Sequence, residues 1–190
     1  MKKIALTSLA VMAVVGVFAI QPVDAKKVEQ DPVMTPIEMP MNDEIQQVNG
    51  VSKSINQETR RLSNNLAQAT KVMIKKNWKI IYIKAVPAGD KDAVRFYYKD
   101  NRGQVYNGQV IRNTGLSKGK YMAGSLHQTE ALQELVNHLQ QNDQEVPSSI
   151  DIIITQEGYR IKTIFNYNED TSNLPAYLQQ YEQQNFPSMK

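Results

Sequence analysis

The sequence predicts an α+β fold, a mainly antiparallel five-stranded sheet with helices packed on one face, in the order α-β-β-β-α-β-β-α. Three observations carry this. Five short runs rich in β-branched and aromatic residues are bounded by turn-forming Gly, Pro, Asn and Asp. Most links between them are too short for a crossover, so neighbouring strands must run antiparallel. The remaining long stretches place their apolar residues at helical spacing, and such helices bury their stripe against a sheet.

In chain order, residues 1–25 read as an export signal. Lys2 and Lys3 give a basic start, Ile4 to Ile20 is an uncharged and almost uninterrupted apolar run, and Val23 and Ala25 put small residues before a cleavage site. A membrane anchor needs about 20 apolar residues. This run is 17 long and Pro22 follows it, so cleavage near Ala25 is expected, with a periplasmic product and no stable membrane insertion afterwards. The absence of cysteine removes both a lipid-anchored cysteine and a disulfide framework. Residues 26–44 carry Pro32, Pro36 and Pro40, a spacing that blocks a helix and costs a sheet its donors, and read as a flexible tether. Residues 45–190 read as a single α+β domain.

From Glu44 the pattern becomes helical. Ile55, Leu62, Leu66, Ala69 and Met73 line one stripe, with Asn49-Gly50 as its break or start. The strands are then Trp78 to Val86, Ala93 to Lys99 and Val105 to Ile111. The turn at Asp100 to Gly103 joins the second to the third, where Gly108 marks a bulge or a close backbone approach. Arg112 to Gly124, with its glycines and basic side chains, reads as a mobile loop, and its spacing fits neither the P-loop nor the dinucleotide fingerprint. Ser125 is the expected N-cap of a helix to Gln141 that buries Leu126, Leu132, Leu135, Val136 and Leu139. A hairpin follows, Ser148 to Asp170, turning at Gln156-Glu157-Gly158. Pro175 opens a last helix ending near Phe186, whose packing side is Tyr177, Leu178 and Tyr181.

The chemistry-bearing residues are sparse. Nucleophilic catalysis needs a Ser or Cys with a positioned His; there is no Cys, and both His127 and His138 fall on the second long helix. They share a helix face, but the rise between them is about 16 Å, too far to hold one metal ion. The carboxylates Asp143, Glu145, Glu169 and Asp170 lie in loops, where capping and solvation are the ordinary roles. No catalytic residue, metal or cofactor is expected. The formal net charge is +3, and removing Lys2, Lys3 and Asp24 with the signal lowers it to +2, which argues against a nucleic-acid partner. Tyrosines occur throughout the strands, and because side chains alternate, Tyr97 and Tyr98 must point to opposite faces. Tyrosine on an open face suits protein recognition, while tyrosine in the core or in cross-strand pairs is the bland alternative.

Several strings in order resemble the YezG-like immunity proteins, which neutralise secreted bacterial toxins. They are Asn77 to Tyr82 (NWKIIY), Phe96 to Lys99 (FYYK), Gln104 to Asn107 (QVYN), the Leu-rich helix, and Ile164 to Asp170 (IFNYNED), spread over about Val72 to Phe186. The resemblance implies an α+β inhibitor without activity of its own that binds a cognate secreted toxin. The sequence departs from that family in its export signal and near-neutral charge, which turns the expectation from a nuclease to an envelope-directed toxin. The expected partner-binding residues are Tyr97, Tyr98, Tyr106, Tyr167, Asn168, Glu169 and Asp170, at the hairpin end and on the open sheet face. Two other readings are an adaptor that binds an envelope protein through its long helix, and a small-molecule or cell-wall binder that uses the aromatics.

Overall fold

The computed structural model describes residues 56–157 and 159–189, all within the compact unit Asp43–Lys190. The expected signal, the tether, Ile55, the Asn49-Gly50 break and Gly158 lie outside the described residues.

Helix α1 spans Gln57–Lys71, capped by Asn56, whose Oδ1 accepts from Thr59 N at 2.7 Å. Its buried stripe is Thr59, Leu62, Ser63, Leu66, Ala67 and Thr70, so only Leu62 and Leu66 are large apolar side chains and the rest are hydroxyl or methyl. Two of the hydroxyls are satisfied locally, Ser63 Oγ donating to Thr59 O and Thr70 Oγ1 to Leu66 O, while the buried Thr59 Oγ1 has no partner among the described residues. Small side chains let the next long helix come close, and Gln128 Nε2 donates to Thr70 Oγ1 at 2.8 Å across that contact. Met73 lies beyond the helix end yet is buried.

Strands β1 (Ile80–Val86), β2 (Ala93–Lys99), β3 (Val105–Asn107), β4 (Ser149–Thr155) and β5 (Arg160–Asn166) form one antiparallel sheet in the order β3-β2-β1-β4-β5. The sheet and the α+β class are as the sequence predicts. Strand β3 is shorter than expected because the chain turns at Gly108. A Cβ there would sit 2.1 Å from Phe96 Cε2, so it is the Phe96 ring, rather than another backbone, that requires glycine.

Alternation gives the sheet two faces. Ile81, Ile83, Phe96, Tyr98, Ile150, Ile152 and Phe165 point to α1 and α3 and form the main core. At roughly 1.5–3 kcal/mol for each large apolar side chain removed from water, this face is the chief source of stability. The opposite face carries Tyr82, Lys84, Tyr97, Asp151 and Ile153. Helix α4 (Leu174–Asn185) lies across it: the Phe186 ring is 4.5 Å from that of Tyr97 and 5.3 Å from that of Tyr82. The expectation of helices on one face thus holds for α1 and α3, and α4 takes the other. A face bearing Tyr82, Tyr97 and Ile153 is too apolar to leave to water, and the chain after β5 reaches back to cover it.

The stretch Arg112 to Gly124 is helical rather than a mobile loop. Helix α2 (Ile111–Thr114) ends at Gly115, whose φ of +80° favours glycine, and α3 (Lys118–Gln141) starts from Ser117, not Ser125. Gly124 sits where a Cβ would be 2.9 Å from Met73 Cγ, so it admits the segment after α1. Starting early turns the helix: its buried side is Tyr121, Gln128, Ala131, Leu132, Leu135 and Leu139, and Leu126 is left 58% exposed.

Candidate functional site

Tyr97 and Tyr98 alternate as expected, and both faces are covered, so neither is offered to a partner; their relative exposures are 0% and 1%. Tyr97 lies under α4 and its hydroxyl donates to Glu182 Oε1 at 2.8 Å. Burial, reinforced by Glu182, holds that hydroxyl well above the usual tyrosine range. Tyr98 points to the α3 side and donates to Asn113 O at 2.6 Å, and burial pushes its pKa up to about 12. Tyr106 is half-buried, stacks on Tyr98 with centroids 5.1 Å apart, and donates to Asp100 Oδ2 at 3.3 Å.

At the hairpin end, Tyr167 is half-buried against the main core. Asn168 and Asp170 are exposed. Asp170 accepts from Ser172 N and Oγ, which holds its carboxyl below the usual range. Glu169 is drawn inward instead, accepting from Ser149 Oγ and Tyr177 OH and pairing with Lys84 Nζ at 3.2 Å. The sequence places these residues side by side; the structure divides them, with Glu169 serving the interior.

That division exposes a feature the sequence reading missed. Lys84, in the middle of β1, is 1% exposed and lies 3.0 Å from Asp151 Oδ2, with the rings of Tyr181 and Tyr177 at 4.9 and 5.4 Å. Asn166 Nδ2 donates to Asp151 Oδ2 and Ser149 Oγ, closing the network. Burial works against the lysine's charge, but Asp151 and the hydrogen bonds outweigh it and its pKa rises. Glu169 is likewise penalised by burial, yet Ser149, Tyr177 and Lys84 hold its carboxyl below the usual range. A protonated, buried lysine is neither a general base nor an amine nucleophile. It ties the hairpin end and α4 to the sheet. A lysine in the middle of the otherwise apolar strand IIYIKAV was the available clue.

At the opposite end of the strands, a cavity of about 320 Å³ is lined by Lys76, Asn77, Asn101, Arg102 and the Tyr98–Tyr106 pair, with Asp100 beside them. His127 is exposed and pairs with Glu130 at 3.1 Å, while His138 lies beside Asn142. Among the described residues no group of three or more His, Cys, Asp or Glu is placed to hold a metal, and no helix is long and apolar enough to cross a membrane. Helix α1 spends its buried stripe on α3 and the sheet, so the adaptor reading loses the apolar face it would need.

A family model described as immunity protein YezG-like matches residues 59–187, from the first turn of α1 to just beyond α4. It therefore takes in α1 as well as the strings from Val72 onward. No match was found among curated proteins. Since the match spans well over half of the chain and the whole five-stranded sheet, the chain belongs to the YezG-like immunity protein family.

Proposed function

We propose that this protein is an exported immunity protein that neutralises a cognate secreted toxin by binding it directly in the periplasm. The observation that carries the reading is the family match over residues 59–187, the body that holds α1, the sheet and α4. Residues 1–25, with two lysines ahead of a 17-residue apolar run, support export. Inhibition by occlusion needs a rigid, preorganised surface rather than reacting groups. The Lys84 network supplies rigidity by pinning α4 and the hairpin end to the sheet. The candidate contact residues are then Tyr106 at one end of the strands and Tyr167, Asn168 and Asp170 at the other, with Glu169 as a positioning residue.

The test is co-expression with a candidate toxin, sought first in the adjacent reading frames. Protection is expected with the full chain and lost when residues 1–25 are deleted. Protection by the deleted version contradicts the location, and no protection by either version contradicts the immunity function.

A further inference from the structure

A net charge of +3 hides a separation of charge that the topology imposes. Strands β1, β3 and β5 begin, and β2 and β4 end, where α1 ends and α3 begins. The link from α1 to β1 brings Lys71, Lys75, Lys76 and Lys79 to this end. The β2–β3 turn adds Lys99 and Arg102, α2 and the start of α3 add Arg112, Lys118 and Lys120, and β5 opens on Arg160.

Backbone contacts weld these pieces into one surface: Lys75 N donates to Thr114 O, Lys79 N to Lys99 O, and Gln156 N to Lys79 O. Lys76 Nζ donates to Arg112 O at 2.9 Å, and Lys71 Nζ to Tyr159 OH at 3.1 Å. The acids at this end are Asp100, which is spent on Arg102 N, Gln104 N and Tyr106, and Glu157. Among the described residues none of these lysines and arginines is in an ion pair. The other end is richer in acids, with Asp90 and Asp92 flanking Lys91 between β1 and β2, Asp143 and Glu145 after α3, and Asp170 after β5; Arg60 and Arg61 near the start of α1 are the other bases there, and Arg61 is paired with Glu58.

We infer that the basic end is the toxin-docking surface and that the face it meets is acidic, with a carboxylate side chain entering the 320 Å³ cavity between Lys76 and Arg102. The inference rests on the immunity reading and deepens it. Arg102 offers the planar fork that grips a carboxylate, Asn77 and Asn101 offer amide donors, and Tyr106 offers an aromatic wall. A protein partner fits better than a nucleic acid. The Tyr98 and Tyr106 rings stack on each other and Tyr98 is buried, so that pair is not a platform for bases, and a long polyanion would also meet the acidic end. Complementary charge of this kind acts first on the association rate.

The test measures association of the purified protein with the toxin domain that it neutralises in co-expression, at low and at high salt. A K75E/K79E/R102E variant should associate about 10-fold or more slowly at low salt, with the difference shrinking at high salt. A D90N/D143N variant, altered at the exposed acidic end, should associate at the unaltered rate, and both should keep the unaltered thermal midpoint. An unaltered rate for K75E/K79E/R102E, or a loss only in D90N/D143N, overturns the docking surface while leaving the immunity function standing. Failure of the unaltered protein to bind overturns both. Single-stranded DNA or phosphatidylglycerol vesicles serve as further probes: binding to either that the triple variant abolishes, with toxin association unchanged, assigns the surface to a polyanion and overturns the proposal.

Discussion

Lys84 and Asp151 face each other across the β1–β4 pair with Nζ and Oδ2 3.0 Å apart, and the lysine has almost no contact with water. A buried ion pair adds little over a well-packed apolar pair, but breaking one strands the partner charge. Replacing Lys84 with Met keeps the stem volume and leaves Asp151 and Glu169 without their cation. We predict a loss of about 3–5 kcal/mol by urea unfolding. A loss below about 1 kcal/mol would show that the network does not hold α4 and the hairpin end.

The same network sets an acid limit. The Glu169 carboxyl sits below its ordinary value of 4.5, so its contribution is present above the unfolded-state pKa and is lost as pH falls through the folded-state pKa. Lys84 has the opposite sense: its raised pKa places the loss above its ordinary value of 10.5. Thermal midpoints should therefore fall as pH drops below about 4.5, and E169Q should flatten that fall. An equal fall in E169Q would assign acid sensitivity elsewhere.

Helix α4 is held on the second face by Phe186, buried against Tyr82 and Tyr97. Phe186→Ala should cost about 3 kcal/mol or more, as truncation of a core aromatic does. Leu126→Ala, on the exposed side of α3, should change stability by no more than about 0.5 kcal/mol. Chemical denaturation of the two variants checks the pair; similar values would mean that the second face is not a packed layer.

Two glycines should respond in opposite directions. Gly108→Ala drives a methyl into the Phe96 ring and should cost about 1–3 kcal/mol. Gly119 has nothing near its missing Cβ, and alanine there should raise stability by about 0.4–1 kcal/mol by restricting the unfolded chain. Thermal melts of the two single variants decide this.

What could be read from the sequence was whatever a local pattern carries. Ala93–Lys99 alternates and ends at Asp100-Asn-Arg-Gly103, and its bounds as a strand came out unchanged. The start of α3 was hidden because Gly115, Gly119 and Gly124 lower helix propensity, whereas the tertiary contact with Met73 rewards the last of them. The α1 stripe was only half visible because Thr59, Ser63 and Thr70 do not register as apolar. Of the expected partner-binding residues, Tyr97 and Tyr98 are buried. Alternation separates Tyr97 from Tyr98 but says nothing of which helix covers each, and it was α4 that took the supposedly open face. Nor does a sum of charges reveal where a fold puts them: lysines distant in sequence, from Lys71 to Lys120, converge at one end of the strands.

The claim that everything else depends on is that this chain protects against a toxin outside the cytoplasm. Survival of cells expressing the candidate toxin measures it most directly, comparing the full chain with a chain lacking residues 1–25 at equal abundance. Survival is expected with the full chain and death with the shortened one. Survival with the shortened chain would contradict the export claim, and death with both would contradict the immunity function.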